Sequence, residues 1–263
     1  MSGLYIDEKS VKNRLIRFIY TQLSKRGFKR AVLGLSGGID SALVAYLCRE
    51  ALGPKNVFAM ILPYKTTAKK DIDDAHELAG ILNINAAEID ITPMIDSYFS
   101  QKEIQKDISE TQMGIRRGNK MARERMSILY DRAKALDALV LGTGNKTEIL
   151  LGYFTRHGDA ACDINPISTL YKTQVRQLAS YMHIPDFVIN KIPSAGLWPG
   201  QTDEDEMGFL YEDVDKVLHF MIDKKYSDRK LEHAGFNKDF IKKVKDRIAK
   251  YSYKSEQPAV YKG

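Results

Sequence analysis

Eight consecutive residues, Gly34-Leu35-Ser36-Gly37-Gly38-Ile39-Asp40-Ser41, constrain this chain more than any others. They follow the apolar run Ala31-Val32-Leu33 and precede an apolar-periodic stretch that ends at Leu52. A short apolar run that enters a helix through glycines reads as a strand-to-helix turn. The first N–H groups of such a helix have no partner within it and lie at the positive end of its dipole, so the turn forms an anion site. Glycines let the backbone approach a ligand closely. Ser36 and Ser41 add hydroxyls that donate or cap. Asp40 is the odd member, because a carboxylate repels phosphates unless a cation lies between them. A Mg²⁺ shared by carboxylate and phosphate oxygens removes the conflict. The plainer reading is a Gly-rich turn whose Ser and Asp only cap the helix; the complete string after a strand outweighs it. The loop is not a G-x-x-x-x-G-K-[ST] phosphate loop. Gly142 to Thr147 imitates one, but Asn145 stands where a glycine should precede the lysine.

The rest of the chain alternates in the same manner. Residues 9–27 read as an amphipathic helix, 30–35 as strand one, 39–52 as its helix and 56–63 as strand two. A helix over 66–83, strand three over 85–91, a polar irregular stretch, a helix over 119–137 and strand four over 138–144 follow. Residues 162–167 read as the start of strand five and 172–183 as the next helix, while 192–209 has little periodicity and reads as a long loop. This pattern predicts an α/β fold: a doubly wound parallel five-stranded sheet, order 3-2-1-4-5, with helices on both faces and extra helices at the C-terminus. The chain reads as one domain over 1–263, with a mobile lid near 194–208 and a helical C-terminal segment, 209–263. Strands one and four would be neighbours, so the switch point lies between the loop at 34–41 and residues 141–148, where open α/β sheets bind ligands. Asp40 and Glu148 would both reach it and hold one Mg²⁺ against a triphosphate.

Composition narrows the class. No run of 18 apolar residues suggests a membrane span, and the first fifteen residues lack a secretory h-region. Cys48 and Cys162 are isolated, which argues against zinc, iron–sulfur or disulfide frameworks and fits a reducing cytoplasm. The net charge of +6 is spread along helices and reads mainly as solvated faces, with a field that suits phosphorylated small substrates.

The string S-G-G-x-D-S resembles the pyrophosphate loop of the ATP pyrophosphatases, which cut ATP between its α and β phosphates. Residues 63–75, 119–126 and 139–179 narrow the likeness: together with the loop they are similar to the ammonia-dependent NAD synthetases, from about residue 10 to the C-terminus. The resemblance implies ATP-dependent amidation of nicotinic acid adenine dinucleotide (deamido-NAD) by ammonia, through an acyl-adenylate, with AMP and pyrophosphate released. It places Gly34, Leu35, Ser36, Gly37, Gly38, Ile39, Asp40 and Ser41 on ATP, joined by Thr143, Lys172 and Ser194, the last standing where a threonine is usual. Asp40 and Glu148 match the Mg²⁺ ligands, and Lys172 matches the lysine that meets the ATP phosphates. Arg123, Arg156, Asp159 and Asp163 match positions lining the deamido-NAD site. Lys254 matches the lysine of a C-terminal His-Lys pair whose histidine is here Tyr253.

No nucleophilic side chain is required, since the protein's task is positioning and charge stabilisation. Asp40, Glu148, Lys172 and Asp159 form the expected catalytic set; Asp159 or Asp163 would take a proton from ammonium, and the sequence does not assign that base. Free ammonia is the expected nitrogen donor, because neither cysteine has the neighbours of an activated nucleophile. The resemblance implies a homodimer, and Leu15, Ile16, Phe18, Ile19 and Leu23 of the first helix offer apolar surface for it. Neither nucleic acid nor membrane is an expected partner. Two other classes compete: a tRNA-modifying adenylating enzyme, suggested by the basic charge and shared loop, and a non-catalytic nucleotide-binding module. Scarce cysteine and the absence of an added RNA-binding segment count against the first. Joint retention of Asp40, Glu148 and Lys172 counts against the second.

Overall fold

The computed structural model describes residues 4–104, 109–194 and 202–261. Strand β1 (Arg30–Gly34) lies inside a parallel sheet between β2 (Val57–Ile61) and β4 (Ala138–Val140), and β3 (Asn85–Glu88) pairs with the outer side of β2. Successive side chains of a strand point to opposite faces, and β1 uses both. Ala31 and Leu33 pack with α1 (Glu8–Lys25), α2 (Ile39–Leu52) and α3 (Lys69–Leu82) on one side. Val32 packs on the other side with Ile95 and Phe99 of α4 (Thr92–Phe99) and Met121 and Ala133 of α5 (Glu110–Leu136). Both faces of β1 are therefore covered, which explains its unbroken apolar run. Leu43 and Leu47 of α2 are fully buried, each contributing roughly 1.5–3 kcal/mol.

After β4 come α6 (Lys146–Leu151), α7 (Lys172–Tyr181) and α8 (Asp186–Ile189). Then follow α9 (Asp203–Met207), α10 (Tyr211–Leu218), a π turn over His219–Asp223, α11 (Asp228–His233) and α12 (Lys238–Tyr251). Val175, Leu178 and Val188 of α7 and α8 join the core beside α1 and α2. Leu151, Tyr171, Met207, Tyr211, Val214, Leu218 and Val244 form a third apolar cluster, which fastens the C-terminal helices to α6 and the start of α7.

Three expectations are corrected. Among the described residues the sheet has four strands, order 3-2-1-4, and not five. Where strand five was expected there is one parallel bridge, Leu141 with Ile164. Gly142 N donates to Ile164 O at 2.8 Å, but the next rung needs an N–H from residue 166, which is proline. On the other side of the bridge the Asp163 carboxylate, not a backbone carbonyl, accepts the Val140 N–H at 2.8 Å. Second, the stretch read as irregular holds α4 and the first turns of α5, opened by a capping box of Ser109 and Gln112. Gly114 and Gly118 weaken the local helix signal there. Third, part of the expected loop is helical: Thr202 caps α9, whose first turn is acidic, as the helix dipole favours. Residues 195–201 of the expected lid at 194–208 lie outside the described residues.

The apolar residues of α1 turn inward. Ile19 and Leu23 are fully buried and Leu15 and Ile16 pack on the same core, which leaves Phe18 as the exposed member of that set. The surface assigned to a dimer is thus mostly the chain's own core. Among the described residues no helix is long and apolar enough to cross a membrane.

Gly152 ends α6 at φ +62°, and a Cβ there would lie 2.2 Å from Tyr251 Cβ. Gly152→Ala is therefore expected to destabilise the fold by about 2–3 kcal/mol, through strain and displacement of α12, measured as a lower urea midpoint. An unchanged midpoint would contradict this packing.

Candidate active site

A cavity of about 700 Å³ opens at the carboxyl ends of β1, β2 and β4. The loop after β1 forms one wall, with Gly34, Leu35, Ser36, Gly38, Ile39, Asp40 and Ser41 lining it. Gly37 takes φ +74°, and a Cβ there would meet Asp71 O at 2.6 Å, so glycine is required. The loop braces itself: Ser36 N donates to Ser41 Oγ at 3.2 Å, Gly38 N to Ser36 Oγ at 3.3 Å, and Ser41 Oγ to Gly38 O at 3.0 Å. The helix cap of α2 is Gly38, which has no side chain to satisfy the first-turn N–H groups. Those donors face the cavity as an anion site.

Opposite the loop, Asn145 gathers the charged groups. It is fully buried and forms a capping box with Glu148: Glu148 N donates to Asn145 Oδ1 at 3.0 Å, and Asn145 N to Glu148 Oε2 at 3.1 Å. Its side-chain amide donates to Asp40 Oδ1 at 2.9 Å. Asp40 and Glu148, 108 residues apart in the chain, are thereby held together at the switch point. The Lys172 ammonium lies between them, hydrogen-bonded to Asp40 Oδ2 and 3.8 Å from Glu148 Oε1. Burial, and then the Asp40 charge, push the Glu148 carboxyl well above the usual carboxylate range, and Lys172 offsets this only in part. Burial alone draws the Lys172 ammonium down, but Asp40 and Glu148 outweigh it and hold the lysine charged.

Lys172 is fixed by a second ring of groups. Its backbone N donates to Thr147 Oγ1 at 3.0 Å, and the Thr147 hydroxyl donates to Asp215 Oδ1 at 2.5 Å. Asp215 Oδ2 accepts the Thr173 N–H at 2.8 Å, so the start of α7 is capped from α6 and α10. Burial pushes the Asp215 carboxyl upward, against the lowering hydrogen bond from Thr147. The Lys172 ammonium also lies over the Tyr211 ring, 5.1 Å from its centroid. Tyr211 and Tyr153 hydroxyls donate to the two oxygens of buried Asp203, at 3.0 and 3.1 Å.

Thr143, Asp159, Ser194 and Lys254 also line the cavity, as expected of them; Arg123, Arg156 and Asp163 are not on its wall. Asp159 is exposed to the cavity, and desolvation by the surrounding walls raises its carboxyl despite the Thr155 N–H at 2.8 Å. Lys254 donates to Gly152 O and Phe154 O at 2.7 and 2.8 Å, whereas Tyr253 is half exposed and off the wall. Arg123 Nε donates to Arg156 O at 3.3 Å, and Arg156 to Glu256 O at 3.0 Å. Sequence reasoning missed Asn145, Thr147, Lys191, Asp203, Tyr211 and Asp215. Asn145 had a signal, since N-x-x-E before a helix is a capping pattern; Asp215 had none, because its partners lie 68 and 42 residues away.

The donor set suits Mg²⁺. Asp40 and Glu148 offer hard carboxylate oxygens from neighbouring strand ends, around a point that already carries a cation. Among the described residues no group of three or more His, Cys, Asp or Glu could hold a metal. Two carboxylates completed by water and substrate phosphates are how Mg²⁺ is commonly held.

The family described as NAD synthase matches residues 11–258. A protein named NH(3)-dependent NAD(+) synthetase, from Fusobacterium nucleatum subsp. nucleatum, is 47% identical over 263 residues, covering 100% of this chain and 99% of its own. The solved NH3-dependent NAD synthetase from Campylobacter jejuni, in complex with the nitrate ion, aligns with TM-score 0.81 and 33% identity over 98% of this chain and 100% of its own. The solved NMN synthetase from Francisella tularensis aligns with TM-score 0.85 and 32% identity over the same shares.

Asp215→Ala is expected to leave the Thr147 hydroxyl and the Thr173 N–H without their acceptor, at a cost of about 2–4 kcal/mol in unfolding free energy. A urea titration matching the unsubstituted protein would remove Asp215 from this role.

Proposed function

The chain belongs to the NAD synthase family and catalyses the ATP-dependent amidation by ammonia that yields NAD, and we propose that it adenylates the carboxylate of deamido-NAD at the Asp40–Lys172–Glu148 cluster. The observation that carries this reading is the buried Lys172 ammonium between two carboxylates, beside a glycine loop that leads into the side-chain-uncapped N-terminus of α2. A carboxylate resists ammonia because oxide is a poor leaving group. The nicotinate oxygen attacks the α-phosphorus, the bond between the α-phosphorus and the bridging oxygen breaks, and pyrophosphate departs onto the loop N–H groups and Lys172. Ammonia then attacks the acyl carbon, the carbon–oxygen bond breaks, and AMP leaves with that oxygen. Asp40 and Glu148 would hold Mg²⁺, which supplies charge neutralisation for the polyphosphate when bound. Thr143 and Ser194 contribute polar contacts to ATP.

Asp159 is the base that takes the proton of ammonium in this reading. Its raised carboxyl is better matched to that task than an ordinary aspartate. Lys254 meets the dinucleotide at the cavity. Arg123, Arg156 and Asp163 stand off this wall, which fits a dinucleotide site that continues toward a second copy in a homodimer. The family match displaces the tRNA-modifying and non-catalytic readings.

The likeness to an NMN synthetase raises a second reading, in which the acid form of the mononucleotide is the substrate. Incubation with ATP, Mg²⁺ and ammonium, with either deamido-NAD or its mononucleotide half, separates the two by mass spectrometry. The expected products are NAD, AMP and pyrophosphate, with the dinucleotide preferred by about tenfold or more in kcat/KM. ADP with phosphate, or preference for the mononucleotide, would overturn the proposal. In the same assay Asp40→Asn and Glu148→Gln are expected to lower turnover by about 10²–10³-fold or more, with unfolding midpoints showing intact folds. Near-normal turnover in both would remove them from the site.

A further inference from the structure

Lys191, two residues beyond α8, meets the phosphate loop at Gly37. Its ammonium donates to Gly37 O at 3.1 Å and to Asp71 Oδ1 at 2.8 Å, and forms an ion pair with Asp74 Oδ2 at 2.5 Å. Three oxygens from two elements therefore surround it, which matches the three donors of an ammonium. Asp74 is buried, and the Lys191 ammonium is what compensates its Oδ2, while Lys70 pairs with its Oδ1. Burial alone would raise the Asp74 carboxyl; Lys191 and Lys70 reverse this and hold it low, hence ionised.

We propose that Lys191 is a positioning residue that locks the Gly37–Gly38 peptide with its N–H toward the anion site and shields the bound phosphates from Asp71 and Asp74. In a trans peptide the carbonyl and the following N–H point in opposite directions. With Gly37 O held on Lys191, Gly38 N–H is turned into the loop, where it now rests on Ser36 Oγ. Gly37 at φ +74° has no side chain to resist a peptide flip, so an outside contact must set the orientation. A flip would aim a carbonyl oxygen at the phosphates. Asp71 and Asp74 lie against Gly37, with Asp71 on the cavity wall, and without a cation their charge would oppose a polyphosphate. Lys191 lines the cavity, but leaving its post to touch a phosphate would strand buried Asp74. It therefore acts on nucleotide binding, through the loop, and not on the chemical step. This inference rests on the placement of the ATP phosphates at residues 34–41.

The test uses Lys191→Met, which keeps the length and removes the charge, and Lys191→Arg, which keeps the charge and serves alone if the first does not fold. Initial rates give KM for ATP and kcat; inhibition constants are taken for pyrophosphate and adenosine. For K191M the expected result is a rise of about tenfold to a hundredfold in KM for ATP and in the pyrophosphate constant, with kcat and the adenosine constant within about threefold. For K191R the expected rise is under about tenfold with kcat unchanged. A folded K191M with unchanged KM and unchanged pyrophosphate inhibition would overturn the positioning role. So would a fall in kcat in either variant at constant KM, which would place the lysine on the reacting phosphates. If the unsubstituted enzyme is not inhibited by pyrophosphate, the phosphate placement itself is wrong, and the inference falls with it.

Discussion

The structure is organised around one buried cation. Lys172 has 3% of its side chain exposed and shares the switch point with two carboxylates that are themselves mostly covered. Taking such ions out of water costs several kcal/mol each unless geometry and added hydrogen bonds compensate. The surrounding residues supply that compensation. Asn145 donates to Asp40 and caps Glu148; Thr147 and Asp215 hold the backbone at Lys172; the Tyr211 ring covers the ammonium. The third apolar cluster, remote from the sheet in sequence, brings Asp215 and Tyr211 to the site. The C-terminal helices are thus part of the site's wall, and their packing through Gly152 and Tyr251 bears on the same cavity.

This arrangement suits a triphosphate for a simple electrostatic reason. The lysine is paired inside the protein, yet Glu148 remains poorly compensated, as its raised carboxyl shows. In the proposed reading a divalent cation held by Asp40 and Glu148 would relieve that repulsion, and the phosphates would accept the loop N–H groups and the ammonium. Binding of that kind would give each of these charges a partner. At the opposite end of the cavity Lys254 is tied to two carbonyl oxygens, and burial lowers its ammonium, so that end also holds a cation in a costly place.

The sequence made legible what is encoded locally. Strand β1, the loop and α2 lie within 23 consecutive residues, and glycine, cap and apolar period all speak for the same turn. Asp40, Glu148 and Lys172 were placed through a motif resemblance, and the structure brings those three together. The ends of the sheet were not legible. A short apolar run beside Pro166 looks like a strand until one counts which N–H must make the next rung, and an aspartate side chain completes the edge instead. The apolar stripe on α1 looked like interface because periodicity gives the face of a helix but not what covers it. Asp215 and Lys191 escaped notice because their roles rest on contacts 42 to 154 residues away, with no pattern in the chain to announce them.

That this cavity brings a carboxylate onto the α-phosphorus of ATP is tested most directly with deamido-NAD labelled by ¹⁸O in the nicotinate carboxyl. The attacking oxygen bonds to phosphorus and stays there when ammonia displaces the adenylate. Mass spectrometry after one turnover is expected to find one ¹⁸O in AMP and none in pyrophosphate. Label in pyrophosphate or in free phosphate, or unlabelled AMP alongside newly formed NAD, would contradict attack at the α-phosphorus.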